Sequence, residues 1–279
     1  MRLLLVDGSN LLFQMFYGMP ARIPGRNGQP IHGTLGFVGA LRRILAQVQP
    51  THALALFDGE HENPRTQLDV NYKSNRPDFS DMPDEETPFS QLPDVYAALD
   101  LLGIRRFETV DCETDDLVAA YARTLREEDE LVIASFDSDF FQLLAPNVSV
   151  LRYRGERTVV WTPALLHEKL GGAPQQYADF KALTGDASDA LRGARGVGSK
   201  TAAALLREYG TLEGMLANVQ QIRRAAVRSA LTESAPRLRL NYRLICLDGS
   251  AALPLAPASL ACAPCTLGTM EILRRIGAK

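Results

Sequence analysis

Nine acidic residues occupy positions where their carboxylates can meet. Three apolar runs each end in an aspartate: LLLV before Asp7, ALALF before Asp58 and LVIASF before Asp137. Asp139 follows Asp137 by two residues, so in an extended chain both side chains point the same way. Glu113 and Asp116 stand three apart at the start of an amphipathic run, with Asp115 between them, and Asp186 and Asp189 repeat that spacing. Carboxylates crowded in this way repel one another unless a countercharge is present. Hard divalent cations supply it. Mg2+ and Mn2+ take oxygen ligands, and an acid-rich set poor in His and Cys points to them rather than to zinc. Two such ions about 4 Å apart suit in-line attack on a phosphodiester. Taken singly, each acid reads as a helix cap or a turn former, and Asp137-x-Asp139 after a strand also fits the nucleophile pair of a phosphatase. Their joint occurrence favours metal-dependent phosphate chemistry.

A second pattern lies at Gly193-Ala194-Arg195-Gly196-Val197-Gly198-Ser199-Lys200-Thr201. It misses the P-loop pattern, because Ser199 separates Gly198 from Lys200, and no strand precedes it. What remains is a Gly-x-Gly turn between two helical stretches, 177–183 and 201–208. Glycines allow a phosphate close to the backbone, and the free N–H groups of a helix start favour anions. The plain alternative is a helix–helix turn. Charge tips the balance: the chain has net charge −3, yet 181–243 holds eleven basic and five acidic residues, a local +6 that leaves −9 on the rest. An acidic site beside a basic gripping surface follows, with phosphate contacts and no base readout.

These residues need elements to position them. Strand-like runs at 3–6, 52–57, 104–107, 131–136, 148–152 and 158–161 alternate with helical spacing at 34–48, 89–102 and 113–126. Strands that are apolar throughout and interleaved with helices predict an α/β fold with a mostly parallel sheet covered on both faces. In such sheets ligands bind beyond the C-terminal strand ends, where Asp7, Asp58 and Asp137 fall. Residues 59–88 break the pattern with a long polar excursion of a kind that is usually functional. After Trp161 the chain turns helical and rich in Ala, Leu and Arg, so a boundary is expected near 162. Residues 251–266, rich in Ala and Pro, read as a loose connector to a last short helix at 270–276.

Composition excludes several classes. The 279 residues are 46% hydrophobic and 23% charged, ordinary globular values that support a core without staples. No apolar run approaches the ~18 residues of a membrane span, and MRLLLVDGSN lacks the long apolar stretch of a signal peptide. No membrane partner and a cytoplasmic location are expected. Four cysteines exclude a disulfide scaffold. Cys262 and Cys265 have zinc-like spacing but no second ligand pair nearby, and Cys246, His52 and Trp161 read as structural.

The motifs converge on a family. The chain resembles the bacterial 5′-3′ exonucleases and flap endonucleases, the group that includes the N-terminal nuclease domain of bacterial repair DNA polymerases. Seven blocks carry the resemblance in order over about 3–245: LLLVDGSNLLFQMFYG, PTHALALFDG, NYKSNRP, ETDDLVAAYA, FDSDFFQLL, KALTGDASD and RGVGSKTAAALL. The likeness is to the stand-alone form. It implies a PIN-like nuclease domain at 1–162 and a helix-three-turn-helix DNA-binding module, of helix-hairpin-helix type, at 163–279. By resemblance, Asp7, Asp58, Glu113, Asp115, Asp116, Asp137, Asp139, Asp186 and Asp189 would be metal-site carboxylates for two Mg2+ or Mn2+ ions. The excursion at 59–88 would belong to a helical arch that admits a single-stranded 5′ end. There Lys73 and Arg76 match a basic pair that contacts the scissile phosphate, and Tyr72 is placed to stack on a base. Arg195, Gly196, Gly198, Lys200 and Thr201 would hold duplex DNA, with K+ on the backbone of Ala194 and Val197.

The resemblance implies a structure-selective 5′ nuclease acting as a monomer on DNA with 5′ ends, flaps or junctions, RNA-primed ends among them. The chain departs from the family pattern at Phe136 (usually Gly), Ser138 (usually basic), Gln14 (usually basic), Ala190 (usually Asn), Arg192 (usually Pro) and Pro64 (usually aromatic). Phe136 and Ser138 motivate the alternative, a DNA-junction binding protein of the same fold with weak or lost catalysis.

Overall fold

The computed structural model describes residues 1–19, 21–26, 28–59, 64–76, 79 and 82–279. Six strands form one sheet in the order β3-β2-β1-β4-β5-β6. They are β1 (Arg2–Asp7), β2 (His52–Phe57), β3 (Arg105–Glu108), β4 (Glu130–Ala134), β5 (Val148–Arg152) and β6 (Val159–Trp161). All neighbours run parallel except β6, which is antiparallel to β5. The central strands β1, β2, β4 and β5 are buried on both faces because both alternating sets of side chains are mostly apolar. Leu3, Leu5, Leu54, Leu56, Leu131 and Ile133 face one core, and Leu4, Val6, Ala53, Ala55, Phe57 and Leu151 face the other.

Three helices cover the second face: α1 (Gly8–Gly18), α2 (His32–Val48) and α3 (Leu92–Leu101). The first face packs on α4 (Thr114–Arg123) and on the helices after β6, so the core runs on through Leu183, Leu206, Leu231 and Leu244. Those later helices are α5 (Pro163–Leu170), α6 (Tyr177–Thr184), α7 (Ser199–Tyr209), α8 (Leu212–Ala217) and α9 (Ala225–Ile245), whereas the last helix, α10 (Thr269–Arg275), packs on α2 and α3, with Ile272 against Val38 and Ala98. Between α6 and α7 a two-residue pairing joins β7 (Gly185–Asp186) to β8 (Leu191–Arg192).

The order 3-2-1-4 makes the gap between β1 and β4 a topological switch point, because the chain leaves β1 to one side and returns on the other. Asp7 ends β1 at that point. The turn into α1 is tight: a Cβ at Gly8 would lie 2.5 Å from the Phe57 ring, so only glycine lets α1 start there.

Two expectations change. Residues 251–266 are not a loose connector. Leu260 is fully buried, Cys262 N–H donates to Thr51 O at 3.0 Å, and Tyr121 donates to Leu255 O at 2.8 Å, so the segment straps the sheet. Leu253, Leu255 and Leu260 pack it down without a regular period. Within 59–88 the described residues hold two short 3-10 turns, Pro64–Gln67 and Asp84–Glu86, and the first residue of a third, Pro88–Gln91, and no α-helix. Residues 60–63, 77–78 and 80–81 of the expected arch, His61 among them, lie outside the described residues.

Candidate metal centre and nucleic-acid interface

Asp7 does two jobs at the switch point. One carboxylate oxygen caps α1, accepting from Asn10 N–H at 3.1 Å, and the other accepts from Ser135 Oγ at 2.7 Å. Burial, aided by the nearby Asp58 carboxylate, pushes its pKa up to about 7. Asp58 follows β2 and accepts from Thr114 N–H at 3.3 Å, which ties it to the start of α4. Asp115, on the first turn of α4, is raised well above the usual carboxylate range by burial and by Asp137, Asp7 and Glu113. Asp137 lies in the turn after β4, held by its own N–H to Ser135 Oγ at 2.9 Å. Asp7, Asp58, Glu113, Asp115 and Asp137 line one cleft of about 500 Å³.

A second carboxylate group adjoins it. One oxygen each from Asp139, Asp186 and Asp189 lie within 4.8 Å of one another, and Asp139 N–H donates to Asp137 Oδ1 at 2.8 Å. Asp139 follows the sheet, whereas Asp186 and Asp189 come from the β7–β8 turn, so this group joins the two parts of the chain. Burial raises Asp139 to about 7 against the pull of Lys181. Burial also raises Asp189, while Asp186 is held below its ordinary value because Lys181 and Ser188 outweigh its burial.

Asp116 stands apart from both groups. Arg65 forks onto it at 2.7 and 2.9 Å, and Asp248 N–H donates to it at 2.8 Å. Arg65 also pairs with Glu113 and reaches Cys246 O at 3.3 Å. The guanidinium therefore fastens the excursion, α4 and the end of α9 together. The structure thus brings eight of the nine acids to the C-terminal edge of the sheet and commits Asp116 to a structural fork.

The excursion delivers its cations. Lys73 Nζ lies 2.7 Å from Glu113, and Arg76 lies 3.2 Å from Asp189. Both side chains line the cleft. Lys73 has φ +59, a left-handed conformation unusual outside glycine, and its N–H is pinned to Asp189 O at 3.1 Å. Tyr72 corrects an expectation. Its ring is 4% exposed within the core, with Lys73 Nζ 4.8 Å from its centroid, so it has no open face for a base. The open aromatic wall is Phe13, Phe79 and Phe89, packed edge to face at 5.4 to 5.8 Å and lining the same cleft.

Sequence reasoning missed that wall, along with Arg65, Lys181 and Ser135. The aromatics lie in three separate segments, and nothing in their local spacing links them. Phe136 and Ser138 leave the cleft open. Phe136 is not among its lining residues and lies under the Arg154 guanidinium at 5.5 Å, and Ser138 is not among the lining residues either. Cys262 and Cys265 are free and partly buried, packed against the α1–α3 side of the core.

The hairpin is built as a close crossing. A Cβ at Gly193 would lie 2.3 Å from Leu183 O, so only glycine fits. Ala194 N–H donates to Leu183 O at 2.9 Å, and Val197 N–H to Ala194 O at 3.1 Å. Gly196 takes φ +77, and Gly198 caps α7. Arg195, Gly196, Gly198 and Lys200 are exposed, Thr201 is half-buried, and Ala194 and Val197 are buried. Beside the hairpin, a furrow of about 480 Å³ runs along α9 past Arg195 and Arg237.

Two family models match the chain: the N-terminal resolvase-like domain of 5′-3′ exonucleases over 2–171, and their C-terminal SAM fold over 172–267. The chain belongs to the 5′-3′ exonuclease family. Among curated proteins it is 35% identical over 245 residues to the thermostable DNA polymerase I of Thermus thermophilus, covering 87% of this chain and 28% of that protein. It is 32% identical over 262 residues to DNA polymerase I of Lactococcus lactis, covering 91% and 29%. The chain thus spans less than a third of the curated relatives it matches. Among solved structures, the T5 D15 protein co-crystallised with metal ions aligns at TM-score 0.71 and 22% identity, covering 89% of this chain and 90% of that one. The catalytic core of Rad2 in complex with DNA substrate aligns at 0.60 and 14%, covering 98% and 86%. These likenesses establish the fold, a PIN-like α/β domain followed by a helical module. Divalent zinc ions are bound in one solved neighbour, the T5 5′-exonuclease, and this chain has an acidic cluster, Asp139, Asp186 and Asp189.

Proposed function

We propose that this chain is a divalent-metal-dependent 5′ nuclease that cuts DNA phosphodiesters at 5′ ends and at single-strand/duplex junctions. The observation behind this reading is the convergence of five carboxylates on a cleft that also holds Lys73 and Arg76, with a second group of three, Asp139, Asp186 and Asp189, adjoining it. The donor set fits Mg2+ or Mn2+. It is all oxygen, and Asp7, buried, and Asp115, half-buried, have their charged forms disfavoured, the state that a hard cation relieves. Asp7, Asp58, Glu113, Asp115 and Asp137 would hold one ion, and Asp139, Asp186 and Asp189, with Asp137 adjoining, the other. Bound there, the ions would supply Lewis acidity and a low-pKa water for hydrolysis.

The chain's own residues do the rest. Lys73 and Arg76 sit on carboxylates at the cleft mouth and can turn to a phosphate without leaving it, which places positive charge where negative charge develops. Arg65 anchors the segment that bears them. Phe13, Phe79 and Phe89 offer faces on which unpaired bases can stack, a contact that tolerates any sequence; Tyr72 supports Lys73 from below. Arg195, Gly196, Gly198, Lys200 and Thr201 grip the duplex backbone, and the carbonyls of Ala194 and Val197 offer a place for K+ against a phosphate. Ala194 O spends one lone pair on Val197 N–H and keeps the second. The division at 162, an arch formed around the excursion, action as a monomer in the cytoplasm and use of RNA-primed ends complete the reading. Among the described residues no helix is long and apolar enough to cross a membrane.

A 5′-labelled flap duplex tests the proposal, with Mg2+ or Mn2+ against EDTA. Metal-dependent release of a short labelled product, lost in Asp137→Ala with DNA binding retained, is the expected result. Retained cutting by that variant would overturn the mechanism. Flap-selective binding without product in either metal would instead favour a junction-binding protein.

A further inference from the structure

The two carboxylate groups are not balanced alike. Within the second group, Lys181 reaches from the last turns of α6 and pairs with both Asp139 and Asp186. It is 5% exposed, so the ammonium is sealed in. Its charge is compensated by the two carboxylates it touches. Asp189, the third member, faces Arg76. In the first group, Asp7, Asp58, Asp115 and Asp137 have no ion pair with a basic side chain among the described residues, and Glu113 alone is paired, with Arg65 and Lys73.

We propose that Lys181 is a tethered counter-cation that keeps the Asp139–Asp186–Asp189 group intact without a metal and weakens the binding of a divalent ion there. The inference rests on the metal-site reading above. An ammonium lodged between two of three prospective ligands competes with an ion on two counts. It uses oxygen lone pairs that the ion needs, and its charge repels the ion across a few ångströms of low-dielectric interior. A divalent ion entering the group must share Asp139 and Asp186 with Lys181 or turn it aside. In the first group the chain's cations hold only Glu113, and among the described residues Asp7, Asp58, Asp115 and Asp137 have no ion pair, so the second position is expected to be the weaker of the two. Lys181 is thus a positioning residue: it sets when the second position fills, and it need not touch the substrate.

The test is Mn2+ binding to the full chain without DNA, followed by calorimetry and by loss of the free-ion paramagnetic resonance signal. For the wild type, one tight site and one weaker site are expected. Lys181→Met should tighten the weaker site about tenfold or more, since a like charge in contact with the ion is removed, and leave the tight site unchanged. Without metal the same variant should unfold at a lower temperature than the wild type, and saturating Mn2+ should close most of that gap. Lys181→Gln, which keeps a polar end of similar length, serves if Lys181→Met does not fold. An unchanged or weakened second site in a cooperatively folded variant would overturn the role given to Lys181 alone. Absence of Mn2+ binding in the wild type would instead overturn the metal-site reading, and this inference with it.

Discussion

Replacing Asp7 by Asn should make the metal-free protein more stable while abolishing cleavage. Asp7 has an ordinary pKa of 3.8 that rises to about 7 in the fold. The folded chain therefore keeps a proton that the unfolded chain gives up between those values. This group's contribution to stability is full below about pH 4, falls as pH rises through that window and is lost above about 7. The shift of about three units, at 1.36 kcal/mol each, sets a ceiling of about 4 kcal/mol at pH 8. Asn removes the buried charge and keeps the cap, since its carbonyl can still accept from Asn10 N–H. It loses the charged acceptor for Ser135, whose Oγ already accepts from Asp137 N–H, at a cost of about 1 kcal/mol. A net gain of about 2 to 3 kcal/mol remains, or about 4 to 8 °C in Tm for a chain of this size. Thermal unfolding in EDTA at pH 5 and pH 8, with and without excess Mg2+, is the assay. The variant should exceed the wild type at pH 8, match it more closely at pH 5 and respond less to Mg2+. A variant no more stable than the wild type at pH 8, or stabilised by Mg2+ as strongly as the wild type, would refute the claim that this edge stores unrelieved negative charge for a metal.

Other outcomes follow from neighbouring contacts. Arg65→Ala leaves Asp116 without its buried fork, and chemical denaturation should show a loss of about 3 to 5 kcal/mol; Arg65→Lys, which cannot fork, should recover only part of it. Lys73→Ala and Arg76→Ala should each lower the single-turnover cleavage rate by about 10²- to 10³-fold, with DNA affinity changed far less, and equal losses in both would contradict their placement. Charge reversal at Arg195 or Lys200 should weaken binding to every duplex sequence alike and reduce the salt dependence of log K by about one per contact. Gly193→Ala drives a Cβ into Leu183 O, so it should lower Tm and flap binding together while the sheet-edge carboxylates remain able to bind Mn2+.

The sheet was legible because its strands are apolar on both faces, which only a covered parallel sheet explains, and because Asp7, Asp58 and Asp137 mark its C-terminal edge. The hairpin was legible from glycine spacing, since a backbone crossing as close as Gly193 on Leu183 O admits no other residue. What escaped were residues whose meaning depends on pairing across the chain. Arg65 stands 51 positions from Asp116 and Lys181 stands 42 from Asp139, and no local period signals such pairs. Tyr72 was misjudged for the opposite reason. A tyrosine beside two basic residues in a polar segment looks exposed, but the left-handed turn at Lys73 folds the segment down and seats the ring in the core.

Asp116 shows how the two kinds of reading combine. Its i, i+3 spacing from Glu113 correctly placed both acids on one face of the α4 start, and metal ligation was one use of that face. The other use was a guanidinium. Spacing fixes which carboxylates can converge, but the partner that reaches them decides their chemistry. Where the partner is a chain cation held by both carboxylates, as Arg65 is by Glu113 and Asp116, the acid farther from the cleft becomes structural. Where a carboxylate has no such partner, as at Asp7 and Asp115, its charged form is disfavoured in the fold and the oxygens remain uncommitted to a cation of the chain. The unequal distribution of Arg65, Lys73, Arg76 and Lys181 over nine acids therefore sorts them into those held by a cation of the chain and those left without one, a division that the acids' own positions in the sequence do not contain.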